Sequence, residues 1–153
     1  MKQYCLGFLY YKKCVLLIEK LKPEWQAGSL NGIGGKVEPN ESPEDAMYRE
    51  FEEETGLSLD IEWTHRGMIT GRTYEVILYS CDLDNFLGCR GFESEDDFDW
   101  NKFVIDSKEG KINFYHIIHD LPTRKVLDNI PILVPLLYFD NGYSYLLDYR
   151  NAT

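Results

Sequence analysis

GKVEPNESPEDAMYREFEEETGL, residues 35–57, is the stretch from which the rest of the chain is read. Ser42 is a good helix N-cap, and Pro43 suits the first helical position, where a missing N–H is not needed. Glu44 and Asp45 then place negative charge where the helix dipole favours it. The pattern predicts a helix that starts at Ser42, continues through AMYREFEEET and stops at Gly56. That glycine can take the left-handed capping conformation, with Leu57 packing back. On a 3.6-residue period Glu50, Glu53 and Glu54 stand at i, i+3 and i+4 on one face, and Met47 and Phe51 form the adjoining apolar stripe. Three like charges on one face repel, and a solvated surface would intersperse lysines. A bound divalent cation is the economical explanation, set against the plainer one of a charged, exposed helix.

Immediately upstream, LNGIGGKVE (30–38) carries Gly32, Gly34 and Gly35 around Ile33, followed by a strand-like KVE. Asn-Gly and Gly-Gly are turn dipeptides, but missing side chains also let a backbone approach phosphate or metal closely. Lys36 reads as a partner for phosphate or for a neighbouring glutamate. In the preceding loop, LKPEWQAGS (21–29), Trp25 is either a hydrophobic plug or a stacking surface for a planar ligand. YCLGFL (4–9) and CVLLIE (14–19) read as a hairpin or two adjacent strands.

Downstream, Leu57–Ile69 and Tyr74–Leu83 are strand-like, with GRT (71–73) as the turn between them. Asp84–Asp99 reads as a long polar insertion beside the site. EGKINFYHIIHD (109–120) gives a turn and then a strand. His116 and His119, three apart on a strand, would face opposite ways and share no metal. NIPILVPLLYF (129–139) is expected to be an apolar helix with Pro135 as a kink, and after a turn at Asn141-Gly142 comes a last strand, YSYLLDY.

The 153 residues, 44% hydrophobic and 14% aromatic, suit one domain spanning 1–153. No run approaches a membrane span, and MKQYCLGFLYYKKC lacks an apolar block followed by small residues, so a cytoplasmic protein without a membrane partner is expected. A formal charge of −10 disfavours a nucleic-acid polymer but suits a small polyphosphate bridged by cations. Cys5, Cys14, Cys81 and Cys89 have no C-x-x-C spacing and read as reduced thiols.

Gly35, Glu41, Arg49-Glu50-Phe51, Glu53-Glu54 and Gly56-Leu57 match every position of G-x5-E-x7-R-E-U-x-E-E-x-G-U, where U is a bulky apolar residue. This resembles the Nudix box. The resemblance implies an α/β fold, the Nudix α/β/α sandwich with a mixed β-sheet and a loop-helix, and hydrolysis of a nucleoside diphosphate linked to another group with Mg²⁺ or Mn²⁺. It implies that Glu50, Glu53 and Glu54 hold metal, helped by a backbone carbonyl near Gly34 or Gly35, and that Arg49 and Glu41 keep loop and helix in register. For the general base it offers Glu109, since EGKINFYHIIHDLP is similar to a segment that many relatives carry, with Glu54 or Glu53 as the alternative.

LNGIGGKVE is further similar to the W-N-G-x-G-G-K segment of MutT-like enzymes that remove 8-oxo-dGTP. That implies base stacking by Trp25 and base-edge reading by Asn31, beside the phosphate approach that the missing side chains of Gly34 and Gly35 and the charge of Lys36 allow. Where vertebrate relatives carry W-P-D-D, however, this chain has Leu127-Asp128-Asn129-Ile130. The expected activity is pyrophosphohydrolysis of an NTP or dNTP to monophosphate and pyrophosphate, by a monomer or homodimer. ADP-ribose or dinucleotide-polyphosphate hydrolysis is the alternative, followed by a nucleotide-binding regulator without turnover.

Overall fold

The computed structural model describes residues 1–58, 60–84, 103–139 and 144–151. Its frame is a mixed sheet. The strands are β1 (Lys2–Tyr11), β2 (Cys14–Lys20), β3 (Leu30–Asn31), β4 (Ile33–Lys36), β5 (Thr64–Thr70), β6 (Tyr74–Asp82), β7 (Ile105–Asp106), β8 (Gly110–His116) and β9 (Tyr145–Asp148). Their order is β7-β8-β2-β1-β6-β5-β9, with β3 added to β2 and β4 added to β1. Helix α1 (Pro43–Thr55) covers one face and α2 (Ile130–Phe139) the other. This is the expected sandwich.

Alternation along the central strands builds both cores. Cys5, Leu9 and Tyr11 of β1, with Leu16 and Ile18 of β2, pack with Ala46, Met47 and Phe51 of α1. The intervening Leu6, Phe8, Tyr10, Val15 and Leu17 pack with Ile130, Leu133, Val134 and Leu137 of α2, an i, i+3, i+4, i+7 stripe. Burial on both faces explains why these strands read as continuous apolar runs. The β1–β2 hairpin turns through Lys12 and Lys13, both at positive φ, as a two-residue loop of the primed type requires.

The sheet forks at its centre. β1 pairs with β2 only through Tyr10 and Tyr11, and its earlier residues Tyr4–Gly7 pair with β4 instead. β2 meanwhile runs on to pair with β3 at Ile18 and Glu19. The chain crosses the fork at Gly32, where an added Cβ would stand 2.8–2.9 Å from Phe8, Leu6 and the Gly7 carbonyl. The glycine segment expected to turn is therefore extended, and its strand is Ile33–Lys36 rather than KVE, because β1 offers antiparallel partners up to Tyr4.

Two further expectations change. The strand predicted from Leu57 begins only at Thr64, while Ile61 and Trp63 leave the sheet to fill the core beneath α1. β8 ends at His116, so the turn that follows brings the His116 and His119 rings to 4.4 Å rather than to opposite faces. Nδ1 of His116 accepts the Ile118 and His119 N–H groups. Helix α2 continues through Pro135. The insertion predicted over Asp84–Asp99 lies, after its first residue, outside the described residues, as does the turn at Asn141-Gly142. Cys5, Cys14 and Cys81 are free thiols.

β5 carries a bulge between His65 and Gly67, and Gly67 has φ 120° beside the backbone of Tyr145 in β9. A Cβ there would collide with that backbone. Gly67→Ala is expected to lower stability by at least about 2 kcal/mol, through the positive φ and the displaced β9, measured by urea unfolding.

Candidate active site

The local sequence sets α1 as predicted. Ser42 Oγ accepts the Asp45 N–H at 3.0 Å, Asp45 answers towards the Ser42 N–H, and Gly56 caps the C-terminus at φ 69°. The helix thereby aims its polar face at β4. Glu54, only 4% exposed, accepts the Gly34 N–H at 3.1 Å and the Lys20 ammonium at 3.4 Å. Glu50 is half-buried, and Glu53 is largely exposed.

Arg49 ties these parts together. Its Nε and Nη2 donate to the two oxygens of Glu41 at 3.1 and 2.7 Å, and Nη2 also donates to the Lys36 carbonyl at 3.0 Å. Nη1 donates to Glu50 at 2.8 Å and to Glu53 at 3.0 Å. Glu41 further accepts the Glu38 N–H at 2.7 Å, so loop, strand and helix meet on one guanidinium. These are the two residues for which the motif implies a part in keeping loop and helix in register. The Arg49 hydrogen bonds, with the Glu38 N–H, hold the Glu41 carboxyl down at about 2.

Burial pushes the Glu54 carboxyl up to about 7 even though Lys20 and the Gly34 N–H pull it down, and burial raises Glu50 as well. The three box glutamates, Lys20, Gly34, Gly35, Ser107, Lys108 and Glu109 line one cleft of about 560 Å³. Glu109 reaches it from the turn before β8, where its carboxylate lies 3.7 Å from the Lys22 ammonium.

A second, mostly apolar hollow of about 780 Å³ adjoins the first, sharing Lys20, Gly34, Gly35 and Glu109 with it. Trp25, Asn31 and Lys36 line it. Trp25 is 72% exposed, which rules out a plug buried in the core. Asn31 Oδ1 accepts the Gly32 N–H at 2.9 Å. Sequence reasoning missed Lys20, Ser107 and Lys108 in the cleft, and Tyr4, Leu6, Tyr74 and Val76 in the hollow, which Leu127 and Asn129 also line. Leu127 and Asn129 arrive because Leu30 exchanges backbone hydrogen bonds with Lys125 and Leu127, laying that stretch beside β3. Only the W-P-D-D comparison pointed at this stretch.

The donor set is carboxylates and backbone carbonyls, which suits a hard divalent cation such as Mg²⁺ or Mn²⁺. The lack of a side chain at Gly35 is what lets the Glu50 carboxylate lie against that strand, since a Cβ there would strike it. Among the described residues no three carboxylate, imidazole or thiol groups are already gathered as a ligand set. Arg49 and Lys20 hold the glutamates in ion pairs.

A family model for the NUDIX domain matches residues 7–100. The chain belongs to the Nudix family and is a Nudix hydrolase, a phosphoanhydride hydrolase acting on nucleoside diphosphate derivatives. Its fold is similar to that of a NUDIX hydrolase from Nitrosomonas europaea, at TM-score 0.69 and 13% identity over 98% of this chain and 79% of that one. An ADP-ribose pyrophosphatase from Streptococcus suis matches at TM-score 0.62 and 15% identity, covering 96% and 98% of the two chains. A MutT protein from Bacillus halodurans matches at 0.58 and 18%, covering 99% and 92%. Among the described residues no helix is long and apolar enough to cross a membrane.

The buried carboxyls give a pH signature. The Glu54 value of about 7 lies above the ordinary 4.5, so the folded chain binds more protons than the unfolded one between these values. Metal-free stability should be greatest, with respect to this group, below pH 4.5 and decline as pH rises towards 7. Glu54→Gln is expected to flatten most of that decline in urea melts, leaving the smaller contribution of Glu50.

Proposed function

We propose that this chain is a metal-dependent nucleoside triphosphate pyrophosphohydrolase, in which one domain spanning residues 1–153 converts a purine NTP or dNTP, ordinary or oxidised, plus water to the monophosphate and pyrophosphate. The observation that carries this reading is the junction of the two hollows: a cleft of carboxylates opens past Gly34, Gly35 and Lys20 into an apolar space bearing Trp25 and Asn31. A nucleotide fits that geometry with its phosphates among the carboxylates and its base against the indole.

Glu50, Glu53 and Glu54, with the Gly35 carbonyl, would hold Mg²⁺ or Mn²⁺. Such a cation, when bound, supplies charge neutralisation for the phosphates and Lewis acidity towards water. The chain's own groups do the rest. Gly34 and Gly35 let the backbone approach the phosphates, while Lys36 adds positive charge. Glu109, shared by both hollows, stands where the α–β anhydride would span them and takes the proton from the attacking water. Glu54, which lines the same cleft, is the second candidate for that proton. Arg49 keeps the loop and glutamates in register. Trp25 stacks on the base, and the Asn31 NH₂ donates to an acceptor on the base edge.

The test is a panel with Mg²⁺: 8-oxo-dGTP, dATP, dGTP, ADP-ribose and diadenosine polyphosphates, with the products identified. Monophosphate plus pyrophosphate is expected, and turnover confined to ADP-ribose would overturn the triphosphate reading. Glu53→Gln should cut kcat by about a hundredfold or more while the protein stays folded, and EDTA should abolish turnover in the wild type. Asn31→Ala should change the ratio of kcat/KM between bases by about tenfold with little change in kcat on the best substrate. Equal losses on every base would count against its reading role.

A further inference from the structure

Lys20, the last residue of β2, has no place in the mechanism above although it borders both hollows. Its ammonium lies 3.4 Å from Oε1 of Glu54, and the two side chains are only 14% and 4% exposed. The other oxygen of Glu54 is bound separately, to the Gly34 N–H. The lysine thus holds one carboxylate oxygen and leaves the other undisturbed. An ammonium is a compact charge on a flexible four-carbon stem, so it can change acceptor without moving the strand that carries it.

Two demands fall on this place. A cation taking Oε1 of Glu54 would meet the ammonium at contact distance, and two positive charges so close in a poorly solvated cleft repel strongly. Nucleotide phosphates lying across the junction would bring negative charge to the same spot. Lys20 borders both hollows, so it can leave the first acceptor for the second.

We propose that Lys20 is a two-position residue: it neutralises Glu54 in the metal-free protein and turns to the substrate diphosphate when a divalent cation takes that carboxylate. It competes with metal while it holds Glu54 and grips diphosphate once released. The inference rests on the assignment of Glu54 to the metal. A lysine serving only as a structural partner of Glu54 would affect both ligands in the same direction, through stability. A two-position lysine affects them in opposite directions.

The experiment is calorimetric titration of folded protein at pH 8.5 with Mg²⁺ alone, and then, at saturating Mg²⁺, with methylenediphosphonate as a base-free, uncleavable diphosphate. Lys20→Met should bind Mg²⁺ about tenfold more tightly and methylenediphosphonate about tenfold more weakly. Lys20→Arg should restore diphosphate binding to within about threefold of wild type, since the charge returns. With EDTA present, Glu54→Gln frees the lysine. That variant should bind methylenediphosphonate more tightly than wild type, a gain that the Lys20→Met/Glu54→Gln double variant loses; this comparison stands even where Lys20→Met alone is poorly folded. Unchanged or weaker Mg²⁺ binding by folded Lys20→Met, or a gain that persists in the double variant, overturns the proposal. A wild type that takes up no Mg²⁺ overturns this inference together with the metal reading of the site. A wild type that binds Mg²⁺ without the opposed shifts overturns this inference alone.

Discussion

The structure depends on the fork between β1 and β2. Two central strands that pair along their whole length would leave no opening, but these two are paired only at Tyr10 and Tyr11, beside their turn, and part company beyond Val15. The segment that fills the gap must hydrogen-bond β2 with β3 and β1 with β4, crossing between them in a single residue. Gly32 makes that crossing against Phe8 and the Gly7 carbonyl, where a side chain would meet 2.8–2.9 Å contacts. The crossing sets β4 under α1, and the Gly34 N–H then anchors Glu54. Both hollows open at this place.

The second constraint is electrostatic. Packing three glutamates against a sheet invites repulsion and desolvation, and the chain answers with two cations of different worth. Arg49 is partly exposed and joins Glu41, Glu50, Glu53 and the Lys36 carbonyl. Ion pairs at that exposure are screened by solvent, and the main effect of Arg49 is geometric, through several directed bonds from one planar group. Glu54 is buried and Lys20 partly so, and losing the ammonium would leave a desolvated carboxylate without its cation. The carboxylate that is hardest to keep ionised is therefore the one given a private ammonium and a backbone N–H.

What was legible in the sequence follows from which interactions are local. Helix α1 could be read to its caps because Ser42, Pro43, Asp45 and Gly56 act within one turn of themselves. The hairpin and the two-faced strands could be read from apolar runs alone. The extended path of Ile33–Lys36 could not, since turn dipeptides are extended here only because β1 offers edges on one side of the fork. His116 and His119 were placed on opposite faces by assuming that β8 continued, whereas Asp120 accepts the His116 N–H at 2.6 Å and helps end the strand. Lys20 was invisible because its partner lies 34 positions away.

That difference separates the two halves of the site by their origin. The carboxylate cleft draws Glu50, Glu53 and Glu54 from one helix and the glycines from one strand, so a single contiguous motif specifies most of it. The larger hollow draws Tyr4, Trp25, Asn31, Tyr74 and Asn129 from five separated segments, which meet only because β1 pairs with β6 and Leu30 pairs with the stretch before α2. A substitution in the first half disturbs a local arrangement that the box defines. A substitution in the second alters one wall of a space whose other walls are unaffected. At Asn129 the wall before α2 offers a neutral amide with both donor and acceptor, in a hollow otherwise lined largely by apolar surface. That wall can therefore change without touching the glutamates of α1, whereas Lys20, Gly34, Gly35 and Glu109 belong to both spaces and cannot.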